Sequence, residues 1–545
     1  MTLLTQEYQF LPDERPSFPG SPFVPRHPLG RRIAYALVGV LIGVLSTFPN
    51  ALISANVANL PGAMDSYVAQ LSWLPAIYVA MNASANLTLV KARAQFGIPA
   101  VTLCLLLLYA LAGAVQLVSP TFAAAVVARA VNGMMAAALV SLGIYYLLQA
   151  VTPKTRPIAL VIGLGLTQLG TPLARMIPVD LLVASHGRGL HLLELAVAFV
   201  LVAATLAVPL PPSERSKAFS RLDLVTIGLL VPAFLLLSGV LGLGRLLWWN
   251  ETPALGWMLA AAIPLFAAAI LIETHRSNPL IHFSWFSNVD ILRFAGVALL
   301  VRLALAEQSY GSVGLLSAGG LTNDQLRLLF AGVALSMVAG LVTAVLTLSV
   351  KRLPYQVIAA ALIVAVGAGL DAQSTVLTRP HDLILSQCLL GFGTTLFMGP
   401  ANVFGFLRMS QRGAAFFVTF AVLFSTTQNV GGLAGSALLG TYQVIEARAH
   451  AVTLSDHMLP TDPTVAARLG GAAALSGTVA DPLLRTQEGG KLLGQALAQQ
   501  SAVLAFNDVF RLVAALGLMT ALYVLYLVAL TAFRARFFPA PEAAT

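Results

Sequence analysis

Most of the chain's ionisable residues lie outside its apolar runs, so the few that lie inside are the best candidates for chemistry. Arg129, Arg175, Glu194, Arg302 and Glu307 each fall within or at the edge of such a run. An ionisable group at membrane depth costs several kcal/mol unless it is paired or wet, so it marks an ion or substrate path. A carboxylate in a low-dielectric cavity tends to hold its proton and can carry one near neutral pH. Glu307 has the residue type for that task and is followed by Gln308 and Tyr310. Arg302 precedes it by five residues, about 140° around a helix, so the two cannot pair along one face. Glu307 reads equally well as a proton carrier and as a structural partner for an arginine on another helix. Arg175 and Glu194 sit near the facing ends of successive apolar runs, where an outer ion pair is expected. The mid-run polar residues Gln168, Gln428 and Asn429 either line a cavity or bond helix to helix. Trp73, Tyr78 and Phe397 offer aromatic faces to an apolar or cationic substrate, or simply pack. Asp508 is expected as a helix-terminus charge at the start of the last run.

The elements that hold these residues follow from composition. The chain has 545 residues, of which 58% are hydrophobic and only 10% charged, with mean hydropathy +0.84. A soluble chain carries about a quarter charged residues, so most of this one does not face water. Cys104 and Cys388 both lie in apolar runs and read as small core residues, without a disulfide framework or metal site. The polar, Pro-rich residues 1–32 read as a disordered cytoplasmic tail and carry no cleavable signal. Apolar runs of about 20 residues then span a bilayer as helices. They fall near 33–57, 69–90, 97–118, 121–149, 157–181, 189–210, 222–244, 254–274, 293–318, 326–350, 354–371, 382–407, 413–440 and 506–533. Runs such as VTLCLLLLYALAGAVQLV do not alternate every second residue, so the fold class is all-α integral membrane with fourteen helices, not a barrel.

Charge sets the orientation. With the N-terminus cytoplasmic, every cytoplasmic connection is basic, and about nineteen of the chain's arginines and lysines fall there. The net charge of +9 is therefore a topology signal and not a nucleic-acid footprint. Residues 441–505 form a long outer loop in which VAARLGGAAAL is a candidate amphipathic helix. No P-loop is visible, so no cofactor and no ATP are expected.

Several local patterns occur in order along the chain. SANVANLP lies in the first span, QLSWLPAIYVA with Trp73 and Tyr78 in the second, and RAVNG with Arg129, Asn132 and Gly133 in the fourth. PKTRPIA follows, then NPLIHFSWFSN between the eighth and ninth spans and QQSAVLAFNDVFRL before the last. Together they resemble the fourteen-helix drug:proton antiporters of the major facilitator superfamily, the EmrB/QacA type. The resemblance implies two six-helix bundles, 33–210 and 293–533, with helices 222–274 inserted between linkers 211–221 and 275–292, and a cytoplasmic tail at 534–545. It implies a cell-membrane exporter of small amphipathic compounds or drugs in exchange for protons. Where the host is Gram-negative, it also implies a periplasmic adaptor and an outer-membrane channel. Arg129 is then the arginine that biases a neighbouring acid during transport. Trp73, Tyr78, Gln168, Arg302, Gln308, Tyr310, Gln428 and Asn429 are then cavity candidates. The family's fifth-span motif appears as GLGLTQLGTPLARM, keeping Gly165, Gly170 and Pro172 with an extra residue between the last two. Asn50 and Ala51 stand where the family carries its first-span acid. Ala94, Ile98 and Pro99 replace the acid and basic pair of its gating motif. With the usual acid absent, Glu307 is the first candidate for proton coupling. The excess of intramembrane arginine keeps open a second reading, a facilitator or importer of an organic anion.

Overall fold

The structure, a computed structural model, describes residues 14, 16, 20–57, 66–277, 279–410, 413, 416–458, 461–475 and 482–537. Residues 58–61 of SANVANLP, Asn278 of NPLIHFSWFSN and the tail segments 1–13 and 538–545 lie outside them. The described residues are almost wholly helical. In chain order the helices are α1 (Leu29–Leu45), α2 (Phe48–Asn56), α3 (Trp73–Phe96), α4 (Ile98–Val118), α5 (Phe122–Ala150), α6 (Arg156–Leu166), α7 (Gly170–Met176), α8 (Val179–Ala207), α9 (Arg221–Leu243) and α10 (Pro253–Thr274). There follow α11 (Val289–Leu305), α12 (Glu307–Ala318), α13 (Arg327–Leu346), α14 (Leu353–Asp371), α15 (Ile384–Ser410), α16 (Phe417–Asp456), α17 (Pro463–Leu475) and α18 (Pro482–Phe537).

Eleven helical segments among the described residues are long and apolar enough to cross a membrane, not the fourteen expected. The three missing ones are helical but polar or interrupted. Helix α3 carries Asn82, Ser84, Asn86, Lys91 and Arg93, and α16 carries Gln428 and Asn429. The run 293–318 is split at Ala306 into α11 and α12. Polar residues that serve an internal cavity lower the very hydropathy by which a span is counted.

Helices α1 to α8 pack mainly among themselves, as do α11 to α16 with α18. The two groups meet where α3 packs on α16 and where α6 and α7 pack on α13 and α15. The α9–α10 hairpin rests on α3 and, through α9, touches α16. It starts at a capping box in which Asp223 accepts from the Ser220 N–H at 2.8 Å. Asp223 then pairs with Lys91 of α3 and with Arg276, both at 2.7 Å. Large apolar side chains such as Trp257, Leu335 and Leu370 project outward from the periphery. Such a surface suits lipid and not water.

Two breaks in the N-terminal group touch each other. Between α1 and α2, the Thr47 hydroxyl donates to the Thr167 carbonyl at 2.6 Å. Thr167 opens the 3-10 turn that separates α6 from α7. Gly170, just past that turn, lies against Thr47 and Phe48 too closely for any side chain. Broken helices of this kind expose backbone polar groups only where protein or a wet cavity can satisfy them.

Three sequence expectations change here. The tail is not free of structure throughout: the Phe23 N–H donates to the Pro212 carbonyl, and Gln149 donates to the Phe23 carbonyl. Its proline-rich residues cover the end of α5. The segment 441–505, expected as a long loop, is largely helix among the described residues, because α16 runs on to Asp456 and α18 begins at Pro482, with α17 between them. Ala and Leu dominate that stretch and favour helix over coil. Cys104 is exposed on the outside of α4, not in the core.

Candidate functional site

A cavity of about 610 Å³ opens between the two helix groups. From one side α3 contributes Tyr78, Asn82 and Asn86, and the α6–α7 break contributes Gln168 and Arg175. From the other come Arg302 of α11, Tyr310 of α12, and Gln428 and Asn429 of α16. Phe406, Phe417, Phe420 and Phe424 form an aromatic wall. The groups are bridged across the cavity, where Asn429 donates to the Asn82 side-chain oxygen at 2.8 Å.

Three arginines reach the cavity and no Asp or Glu is among its lining residues. Arg302 donates through Nε to the Gln428 carbonyl at 2.9 Å. Gly432 leaves room for its guanidinium, since an added Cβ would stand 2.9 Å from Nη2. Arg245 donates to the Tyr310 hydroxyl at 2.7 Å and stacks 5.0 Å above that ring. Arg175 donates to Asn323 at 2.7 Å, stacks 5.3 Å from Phe330, and leaves its buried Nε without a partner. None of the three forms an ion pair among the described residues. Their charges are held by neutral oxygens and rings, so the cavity retains a positive potential.

The expected pairing of Arg175 with Glu194 does not occur. Helix α8 starts at Val179, so Glu194 lies about 22 Å along it at 1.5 Å per residue. At that depth it meets Arg129 of α5 in a short ion pair, with 1% and 2% of the side chains exposed. His191 Nδ1 lies 3.8 Å from the other carboxylate oxygen. The Nε and Nη1 of Arg129 have no partner. The pair sits inside the N-terminal group and does not line the cavity.

Glu307 is fully buried and also stands behind the cavity wall. The Gln387 amide donates to it at 3.1 Å and to Asp371 at 2.7 Å. The second oxygen of each carboxylate has no hydrogen-bond partner. Two buried acids therefore share one amide. Sequence reading missed Asp371 because it ends an apolar run, where an acid reads as a loop residue. Gln387 was hidden for the same reason, being near the start of another run. Gln308, expected in the cavity, donates instead to the Gln387 carbonyl at 3.2 Å.

Other candidates are placed elsewhere. Trp73 packs on Gly239 of α9 and Phe397 is buried in the core, so neither reaches the cavity. Asn132 is buried with both amide atoms unpartnered. Gly165 faces Leu341 across the groups, and Pro172 is buried in α7. Asp508 is not at a helix start: it lies within α18 and accepts from His450 and Arg511, both at 2.7 Å. Gly133 sets the α3–α5 approach, since an added Cβ would stand 2.5 Å from the Tyr78 carbonyl and 2.9 Å from Met81 Cβ. Gly133→Ala is expected to cost about 1–3 kcal/mol, because backbone has to move. A thermal unfolding curve of the detergent-solubilised variant checks this.

Solved structures share this architecture. The human organic anion transporter MFSD10 (TETRAN) matches with TM-score 0.50 at 16% identity, over 90% of this chain and 100% of that one. The proton:xylose symporter XylE of the major facilitator superfamily matches with TM-score 0.52 at 14% identity, over 92% and 96%. A proton-dependent oligopeptide transporter matches with TM-score 0.55 at 11% identity, over 92% and 99%. No protein-family model and no curated protein matches the chain. At these identities the likeness is one of fold. The chain has the major facilitator fold, the fold of a multi-pass membrane protein.

Proposed function

We propose that this protein is a secondary transporter that carries small amphipathic organic anions by alternating access, with protons as the coupling ion. The observation that carries the reading is a cavity between two helix groups that holds Arg175, Arg245 and Arg302 and no lining carboxylate. Arginine recognises carboxylate, sulfonate or phosphate groups through paired N–H donors. The phenylalanine wall supplies the apolar side of an amphipathic ligand. Export of cationic drugs lacks an acid in the cavity to meet the charge. Residues 33–210 and 293–533 are the two moving halves, with the 222–274 hairpin carried on the first. Broken helices at Thr47, Thr167 and Ala306 support a midplane site. Buried behind that site, Glu307 is the proton carrier, and the amide of Gln387 links it to Asp371. Arg129, paired with Glu194, keeps the N-terminal half in register during the swing.

Arg302→Gln tests the substrate class. Losing a charge-assisted hydrogen bond costs about 1.5–3 kcal/mol, so affinity for an aromatic carboxylate is expected to fall tenfold or more. Binding of a neutral analogue of the same shape is expected to change little. Scintillation proximity or calorimetric titration of both ligands on the purified protein distinguishes the two. Tighter binding of organic cations than of anions by the wild type sinks the reading.

A further inference from the structure

Where α16 runs on beyond its apolar segment and meets α18, a second cluster of ionisable groups lies apart from the cavity. Glu446 and His450 are four residues apart on α16, so they share one face of that helix. Asp508 faces them from α18. One ligand atom from each of the three residues lies within 4.8 Å of the other two. His450 Nε2 is 2.7 Å from one Asp508 oxygen, and Arg511 Nη1 holds the other oxygen at 2.7 Å. Tyr442 lies one turn before Glu446 on the same face of α16.

We propose that Glu446, His450 and Asp508 form a divalent-metal site that joins α16 to α18. An imidazole with two carboxylates is a mixed nitrogen–oxygen donor set. That set favours a borderline ion such as Zn²⁺ or Mn²⁺ over Ca²⁺, which takes oxygen, or Cu⁺, which takes sulfur. The three ligands come from two rigid helices, so small side-chain rotations are enough to close them on an ion. Arg511 acts as the outer partner that orients the ligating carboxylate of Asp508. Arg511 leaves the Asp508 oxygen nearest His450 free to turn to the metal. Water fills the remaining coordination position, since the site is only partly buried. Imidazole and carboxylate bind a metal only in their deprotonated forms, so affinity falls as pH is lowered.

The test uses the full-length protein, purified without a histidine tag and stripped with a chelator, and titrates it with Zn²⁺ and with Co²⁺. One ion per chain is expected, with the visible absorption bands of Co²⁺ in a low-symmetry nitrogen–oxygen site and a rise in unfolding temperature. His450→Ala and Glu446→Gln are each expected to abolish the Co²⁺ bands. Arg511→Gln, which removes only an outer partner, is expected to weaken binding about 10- to 100-fold. Circular dichroism of the metal-free variants shows whether they remain folded. Binding that persists at one ion per chain in His450→Ala, or wild-type protein that gives no Co²⁺ bands, overturns the proposal and leaves an ordinary His–Asp–Arg hydrogen-bond chain.

Discussion

Glu194→Gln is expected to destabilise the protein by about 3–5 kcal/mol, the cost of stripping one partner from a buried ion pair. Among the described residues Arg129 has no second anion to fall back on. Its Nε and Nη1 already lack partners, and its side chain is 1% exposed. The neutral amide of glutamine keeps the shape but leaves a full charge inside packed helices. Arg129→Met combined with Glu194→Leu is expected to recover most of the loss, because apolar residues of similar volume often replace a buried pair without penalty. Thermal unfolding of the two single variants and the double variant gives the coupling directly. A Glu194→Gln variant as stable as the wild type would show that water compensates the charge of Arg129. If the double variant is stable yet fails to transport, the pair serves the cycle and not only the fold.

Glu307→Gln is expected to reduce substrate-dependent proton flux to the level of empty liposomes. The glutamine cannot change charge, and the carboxylate it replaces has one oxygen bound by Gln387 and another with no partner. Substrate-for-substrate exchange without a proton gradient is expected to continue, which separates loss of coupling from loss of fold. Asp371→Asn is expected to weaken coupling as well, since both carboxylates draw on the Gln387 amide. The measurement is a pH-dye liposome assay with an imposed gradient and a panel of organic anions and cations. Proton flux intact in both variants would move the coupling group elsewhere and keep proton coupling. Substrate movement with no proton flux in the wild type would make the protein a facilitator.

The helical, membrane-embedded character was legible because twenty-residue apolar runs have few alternatives. The number of spans was less legible. Helices α3 and α16 face the cavity with Asn82, Gln428 and Asn429, and that polarity dilutes the signal by which spans are recognised. Among single residues, Tyr78, Gln168, Arg302, Tyr310, Gln428 and Asn429 line the cavity, while Trp73 and Gln308 face away from it. Periodicity marks a helix's polar face but does not say which neighbour it meets, so the partner of Glu194 was beyond reach. Arg245 was hidden because it lies just past the end of an apolar run, yet its guanidinium folds back over Tyr310. Asp371 and Gln387 come from different helices, and only packing brings them to one site.

The length of the last helices has a mechanical consequence. Helix α18 has 56 residues and α16 has 40. At 1.5 Å per residue these are about 84 Å and 60 Å, against a hydrocarbon core about 30 Å thick. Each is a lever whose fulcrum lies in the membrane. A tilt of about ten degrees, too small to reorder packing at the pivot, sweeps a point 30 Å out through about 5 Å. Small rotations of the C-terminal half would thereby be magnified into larger displacements at the far ends of these two helices.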